Sequence, residues 1–178
     1  MKILFFSDVH GYANNVQKLI EKIKVHKPDQ LVLLGDALAH YGNSQNSSTT
    51  AAILNSLKKN LTAVRGNCDS EMDQTLLEFP MLDEYKILNA NHQIFFLTHG
   101  HYWNEYHLPP LASFTILVHG HTHIPELKRR TDHTIIMNPG SISLPRGGFP
   151  ASYGLADEKS LSVHELLRDK IIFSIALG

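Results

Sequence analysis

Leu33-Leu34-Gly35-Asp36 closes a short apolar run and ends it in a carboxylate. The run Gln30 to Leu34 shows no polar alternation, the pattern of a strand covered on both faces. Gly35 lacks a Cβ, so the chain can turn there or admit a close neighbour. Asp36 then falls at the carboxyl end of a strand, where open α/β sheets hold their ligands. Four other junctions between an apolar run and a loop also end in metal-ligating residue types: Asp8-Val9-His10, Asn67, His99 and His121-Thr122-His123. A carboxylate in their midst can bridge two cations.

Upstream of this stretch, Ile3 to Phe6 reads as a second doubly covered strand. Val16, Leu19, Ile20 and Ile23 follow at helical spacing, with Asn14 or Asn15 available as a cap and Pro28 closing the unit. The opening is therefore β-α-β, parallel and right-handed. Downstream, Gly42 to Thr50 reads as a solvated polar loop, Ala51 to Lys59 as a helix and Leu61 to Val64 as a third strand. Ser70 to Phe79 reads as a helix ended by Pro80. Beyond it the pattern turns β-rich. Tyr85 to Leu88 and Gln93 to Leu97 form a hairpin around Asn89-Ala90-Asn91. Thr115 to Val118 and Thr134 to Met137 are further strands, and Asn138-Pro139-Gly140-Ser141 is a turn. Ser152 to Ala156, Leu161 to Leu166 and Ile171 to Ala176 make a closing antiparallel meander. Helix-and-strand units first and strands later predict two sheets face to face with helices outside, in a single domain over residues 1–178.

The bulk numbers agree. A chain of 178 residues, 43% apolar, supports one sizeable core and excludes disorder. A net charge of −1 lacks the cationic face that duplex nucleic acid demands. The single Cys68 forms no internal disulfide and fits a reducing, cytoplasmic compartment. The apolar start Met1 to Phe6 is too short for a secretory segment, and no run matches a membrane span. The unusual count is 12 histidines. His26, His92, His133 and His164 read as scattered surface residues. His10, His99, His101, His119, His121 and His123 instead end apolar runs beside glycine.

Asp8 and His10 stand two apart, as do His121 and His123; on extended backbone each pair points to one side. With Asp36, Asn67 and His99 they make seven potential ligands on five loops. Any one motif is weak, since Asp-x-His is common and Gly-Asp is often only a turn. Their joint occurrence, always after an apolar run, is specific. Oxygen and imidazole donors without thiolate favour Mn, Fe, Zn, Co or Ni over Cu(I). Two divalent ions outweigh the charge of Asp8 and Asp36, so the centre stays cationic and attracts a phosphate ester. Such a pair, about 3.5–4 Å apart, can make hydroxide from water and clamp an in-line displacement at phosphorus.

These blocks, together with Arg65-Gly66-Asn67-Cys68-Asp69-Ser70-Glu71, Thr98-His99-Gly100-His101, Asn138-Pro139-Gly140-Ser141 and Pro150-Ala151-Ser152-Tyr153-Gly154, resemble the signatures of the calcineurin-like metallophosphoesterases. Their small bacterial phosphodiesterase branch, the YfcE type, is the nearest likeness. The resemblance implies an α/β fold, a four-layer α-β-β-α sandwich with two mixed sheets. It also implies a binuclear site with two divalent ions, Mn2+ foremost. One ion would take Asp8, His10, Asp36 and His123; the other would take Asp36, Asn67, His99 and His121, with Asp36 as bridge. Asn67, Cys68, Asp69 and His101 form the candidate catalytic group, His101 without a defined role. Arg65 and Asn67 are the candidate substrate contacts. Many relatives carry His where Cys68 stands, a residue thought to protonate the leaving group. A thiol of pKa about 8.5 is a poorer donor, so activated diesters should be cleaved best. The alternative for Cys68 is a small buried filler, the usual behaviour of a free Cys. Asp69 either orients its neighbours or caps the following helix. Tyr102, Trp103 and Tyr106 either stack on a substrate base or pack locally.

The expected activity is a metal-dependent phosphoric diester hydrolase acting on a small phosphodiester, with no duplex nucleic acid, no membrane, and a homo-oligomer allowed. The alternatives are a phosphomonoesterase or small nuclease on the same site, or a non-catalytic scaffold like the retromer subunit of this family. Filled ligand positions favour catalysis. Lys128-Arg129-Arg130 reads as a solvated turn rather than a nucleic-acid patch.

Overall fold

In the computed structural model, which describes residues 1–38, 44–110 and 115–177, the chain opens as the expected parallel unit. β1 (Ile3–Phe6) and β2 (Gln30–Leu33) pair in parallel across α1 (Ala13–His26). Alternate residues of both strands serve two cores. Leu4, Phe6, Leu31 and Leu33 pack under Val16 and Leu19 of α1, whereas Ile3, Phe5, Val32 and Leu34 pack toward the second sheet. Burial on both faces is why these strands carry no polar alternation. Each such side chain contributes about 1.5–3 kcal/mol of burial.

The first sheet has the order β11-β10-β9-β1-β2-β3, with β3 (Leu61–Ala63), β9 (Ser152–Ala156), β10 (Ser160–Glu165) and β11 (Ile171–Ala176). The second has the order β4-β5-β6-β8-β7, from β4 (Tyr85–Ala90), β5 (Gln93–Thr98), β6 (Ile116–Val118), β7 (Glu126–Arg129) and β8 (Ile135–Asn138). Both sheets mix parallel and antiparallel pairs. Phe95, Leu97, Ile116, Val118, Ile135 and Met137 face the first sheet and complete the central core. The alternate residues Phe96, Leu117 and Ile136 face outward, where Trp103 and Leu108 cover them. This is the α/β arrangement of two mixed sheets that the sequence predicts. Among the described residues the outer cover of the second sheet is this loop segment rather than a helix.

Several local expectations are corrected. α2 spans Ser44–Asn55, so Ser44 to Thr50 is helical rather than loop; Gly42 and Asn43 lie outside the described residues. Its polar sequence is a poor helix former, but Ala51 and Leu54 are buried beside α1, and Thr50 Oγ1 donates to Gly11 O at 2.8 Å. Tertiary contacts override propensity here. α1 starts after Tyr12 with no side-chain cap, placing Asn14 and Asn15 inside its first turn. The third helix, α3, is shorter than expected at Glu71–Leu76, and its capping box is Ser70 with Asp73. The β4–β5 turn is Asn91-His92, both at positive φ, so the hairpin strands run longer than expected. Lys128 and Arg129 lie in edge strand β7, not a turn; Lys128 pairs with Glu126 and Glu105, which removes it as free positive charge. His26 and His164, expected at the surface, are largely buried, with side chains 18% and 10% exposed. No helix among the described residues is long and apolar enough to cross a membrane.

Candidate metal centre

The ends of β1, β2, β3, β5 and β6 meet at one edge of the central core, and their loops bring all seven ligand candidates together. Asp8 Oδ1 lies 3.3 Å from His123 Nε2 and 4.0 Å from His10 Nε2, and the two imidazole nitrogens are 3.3 Å apart. On the other side, Asn67 Oδ1 lies 3.0 Å from His99 Nε2 and 2.8 Å from His121 Nδ1. Asp36 Oδ2 stands between the groups, 3.7 Å from His10 Nε2 and 3.4 Å from His99 Nε2.

The backbone reaches this arrangement differently from the expected extended pairs. Asp8, His10, Asp36, His121 and His123 all have left-handed φ, between 50° and 68°. Non-glycine residues rarely adopt that region, and where they cluster the surroundings must hold them there. His10 N donates to Asp36 O at 2.9 Å, and Asp8 N to Gly35 O at 3.2 Å, stitching the first two loops together. Gly35 has φ +87°, and a Cβ there would meet Gly66 Cα at 2.6 Å. A Cβ on Gly66 would run into Asp36 Oδ1 itself.

A second set of groups holds the ligands in place. Asp69 is buried and accepts from Asp36 N at 2.8 Å, Gly66 N at 2.7 Å and Ala37 N at 2.9 Å. It therefore orients the loop that carries Asp36, while the cap of α3 belongs to Ser70. His99 Nδ1 bonds Leu34 O at 2.6 Å and His123 Nδ1 bonds Leu144 O at 2.7 Å, which turns each Nε2 toward the centre. Asn138 donates to Gly120 O at 2.8 Å and Thr122 Oγ1 at 3.0 Å; Ser141 Oγ donates to Asp8 O at 2.8 Å. Asn138-Pro139-Gly140-Ser141 is thus more than a turn: it braces two ligand loops. His119 is buried behind them, and its Nε2 has no hydrogen-bond partner among the described residues.

The residues fit a divalent cation. Asp8 Oδ1 is buried and accepts no hydrogen bond from a described residue. A ligand about 2.0–2.2 Å from a metal stands roughly 3.3–3.6 Å from its tetrahedral neighbours, the spacing that His123 Nε2 keeps from Asp8 Oδ1 and from His10 Nε2, while Asp8 and His10 are 4.0 Å apart. Burial alone would depress His99, but the carboxylates of Asp36 and Asp8 raise it to about 9. Burial alone would likewise raise Asp36, yet the His99 contact, the Cys68 amide and His10 hold it well below the usual carboxylate range. Positive charge is demanded at this point, and a metal can supply it in place of the His99 proton. Burial, reinforced by Asp36, Asp69 and Asp8, pushes the Cys68 thiol up to about 12; bound cations act in the opposite sense.

A cavity of about 460 Å3 opens over the centre, lined by His10, Asp36, Asn67, Cys68, His121 and, beside them, Arg146. Arg146 is the residue the sequence reading missed. Its N donates to His123 O at 3.1 Å, which anchors the loop beside the centre, and the Gly147-Gly148 turn after it was the available signal. Arg65 does not line this cavity; its guanidinium faces Glu84 at 3.7 Å. His101 flanks the centre: its ring lies 5.5 Å from that of His99 and 6.2 Å from that of His121, while its Nε2 is 3.7 Å from Glu84 and it lines a second hollow with Tyr85, Tyr102 and Trp103.

Two mixed sheets whose strand ends gather carboxylates, imidazoles and a carboxamide define a metallophosphoesterase, and the chain belongs to the calcineurin-like phosphoesterase superfamily, whose domain matches residues 1–161. Among its relatives is the phosphodiesterase YfcE of Escherichia coli K12, 40% identical over 183 aligned positions covering 100% of this chain and 99% of that protein. The solved structure of the E. coli YfcE phosphoesterase superposes with a TM-score of 0.93 at 39% identity, covering 100% of both chains. Vps29 of Entamoeba histolytica, solved with Zn2+, shares the fold at TM-score 0.63 and 19% identity, covering 99% of each chain.

Proposed function

We propose that the chain hydrolyses a small phosphodiester at a binuclear centre, with Asp8, His10, Asp36 and His123 holding one divalent ion and Asp36, Asn67, His99 and His121 the other. The observation that carries this reading is Asp36 Oδ2, which lies within 3.7 Å of His10 Nε2 and 3.4 Å of His99 Nε2. A carboxylate so placed is the bridge. The relationship to the E. coli phosphodiesterase at 40% identity supports the reaction class, and the superfamily implies divalent metal. Bound, the ions, Mn2+ foremost, supply an activated water and the charge that stabilises displacement at phosphorus.

The chain's own residues then bind and orient. Arg146 offers a guanidinium to the free phosphate oxygen from the cavity wall. Asn67 Oδ1 stands between His99 and His121, and its Nδ2 donates to Cys68 Sγ at 3.3 Å beside the cavity. Cys68, whose backbone N–H donates to Asp36 Oδ1 at 2.9 Å, occupies the place of a leaving-group donor. A thiol donates weakly, so diesters with good leaving groups suit this site. The size of the cavity and the net charge of −1 fit a small diester rather than duplex nucleic acid.

The test is metal analysis of Asp36→Ala and Cys68→Ala beside wild type, with an activity screen over diesters, monoesters and cyclic nucleotides. Asp36→Ala loses activity and metal at both positions, while Cys68→Ala stays fully loaded. Full occupancy of both metals in Asp36→Ala refutes the bridge.

A further inference from the structure

Away from the metal centre, the C-terminal end of α1 meets the β10–β11 hairpin at a cluster the proposed reaction does not use. His26 Nε2 lies 3.1 Å from both Asp169 Oδ1 and Oδ2, and His164 Nδ1 lies 3.3 Å from Asp169 Oδ1. One donor atom from each of the three residues lies within 4.8 Å of the other two. Two of the three residues rest on irregular backbone. His164 follows a register shift in the β10–β11 ladder, the kind of bulge that re-aims a side chain. Asp169 has φ +61° in the hairpin loop. His26 is the last residue of α1, immediately before the left-handed Lys27.

Hydrogen bonding accounts for the cluster only in part. His26 Nε2 is shared among both Asp169 oxygens at 3.1 Å and the Tyr153 hydroxyl at 2.9 Å, whereas His164 Nδ1 lies 3.3 Å from Asp169 Oδ1 and 3.4 Å from Asp169 O, long for N–H···O. The 3.1 and 3.3 Å separations approach the edge of a tetrahedron around an ion about 2.0–2.2 Å from each ligand. Supporting partners are also present. His164 Nε2 bonds Ser162 Oγ at 2.9 Å, which leaves Nδ1 to face the cluster. Tyr153, held protonated by burial and by Asp169, donates to Asp169 Oδ1 and fixes the carboxylate. Ligands anchored in this way are characteristic of metal sites. A cavity of about 200 Å3, lined by His26, His164, Ser162 and Lys2, gives access from solvent. Lys2 Nζ is occupied by His26 O at 3.0 Å.

We infer that His26 Nε2, His164 Nδ1 and the Asp169 carboxylate form a second metal site, separate from the phosphoesterase centre, that takes a divalent first-row cation, Zn2+ by its donor set. Two imidazoles and one carboxylate, with water from the cavity in fourth place, suit tetrahedral zinc. The bound ion ties α1 to the closing hairpin, so its effect is on stability rather than turnover.

The experiment is zinc loading of chelator-stripped protein, gel filtration, and metal analysis, in wild type, His164→Ala and Asp169→Asn. Each is also made on an Asp36→Ala background. Wild type holds one zinc per chain more than either variant, and the same single equivalent is lost on the Asp36→Ala background. At free zinc about 100-fold above the dissociation constant, wild-type Tm exceeds that of the stripped protein by roughly 5–10 °C more than it does in His164→Ala. Manganese-supported diesterase activity is unchanged in both variants. Equal zinc content across wild type and variants overturns the site. Should the variants not fold, anomalous diffraction at the zinc edge from zinc-soaked wild-type crystals decides: a peak between His26, His164 and Asp169 supports the site, and no peak overturns it.

Discussion

Asp69 is not among the ligand candidates, yet its removal should destabilise the fold and loosen the loop that carries Asp36. Its carboxylate accepts from three buried amides, Asp36 N, Ala37 N and Gly66 N, at 2.7–2.9 Å. In Asp69→Ala those amides lose their partners, at about 1–3 kcal/mol each. Part is offset, because burial already disfavours the charged carboxylate and raises its pKa. The net loss is about 3–5 kcal/mol, a large share of the ~5–15 kcal/mol typical of a domain. For a chain of 178 residues this lowers Tm by roughly 6–20 °C. The loop carrying Asp36 also relaxes, so metal content falls although no ligand has been removed. Asp69→Asn keeps the volume and one acceptor oxygen and should fall between Ala and wild type. The assay is thermal unfolding with metal analysis on the same samples. An Asp69→Ala protein melting within about 2 °C of wild type and fully loaded with metal would refute the reasoning.

Arg146→Ala should raise KM about 10-fold or more with little change in metal content, since a charge-assisted hydrogen bond is worth about 1.5–3 kcal/mol; steady-state kinetics on a diester checks it. Cys68→His should shift the substrate profile toward diesters with poorer leaving groups, and an unchanged ratio of rates on good and poor leaving groups would remove Cys68 from the chemistry. In stripped protein, His99 is raised from 6.5 to about 9, so its stabilisation is complete below pH 6.5 and is lost as pH rises through about 9. Stripped protein should therefore lose Tm across that window. Metal binding near pH 7.5 should release protons, seen as a buffer-dependent heat in calorimetry.

Much of the centre was legible because its ligands follow apolar runs. Ile3 to Phe6 and Gln30 to Leu34 announce buried strands, and a charged or imidazole side chain straight after such a run has few structural reasons to be there. The family blocks added the pairing of ligands. Less legible were features whose signal is not local. Ser44 to Thr50 looks like loop because its helix is supported by α1, through Thr50 and Ala51, and not by its own propensity. Lys128-Arg129-Arg130 looks like a turn because edge strand β7, where Lys128 and Arg129 lie, carries paired charges and no apolar period.

By itself the sequence determined the strand order of the opening unit, the identity of the ligand candidates and the class of chemistry, since these depend on residue type and on spacing along the chain. The tertiary structure decided the rest. Five ligand-bearing residues adopt left-handed backbone that no residue pattern announces, because the conformation is imposed by bonds between loops far apart in sequence. Asp69 became a brace, Arg146 entered the cavity and Arg65 left it for Glu84. His26, far along the chain from His164 and Asp169, met them only when α1 docked against the last hairpin. Side-chain type is carried along the chain, but proximity between distant residues is created by packing.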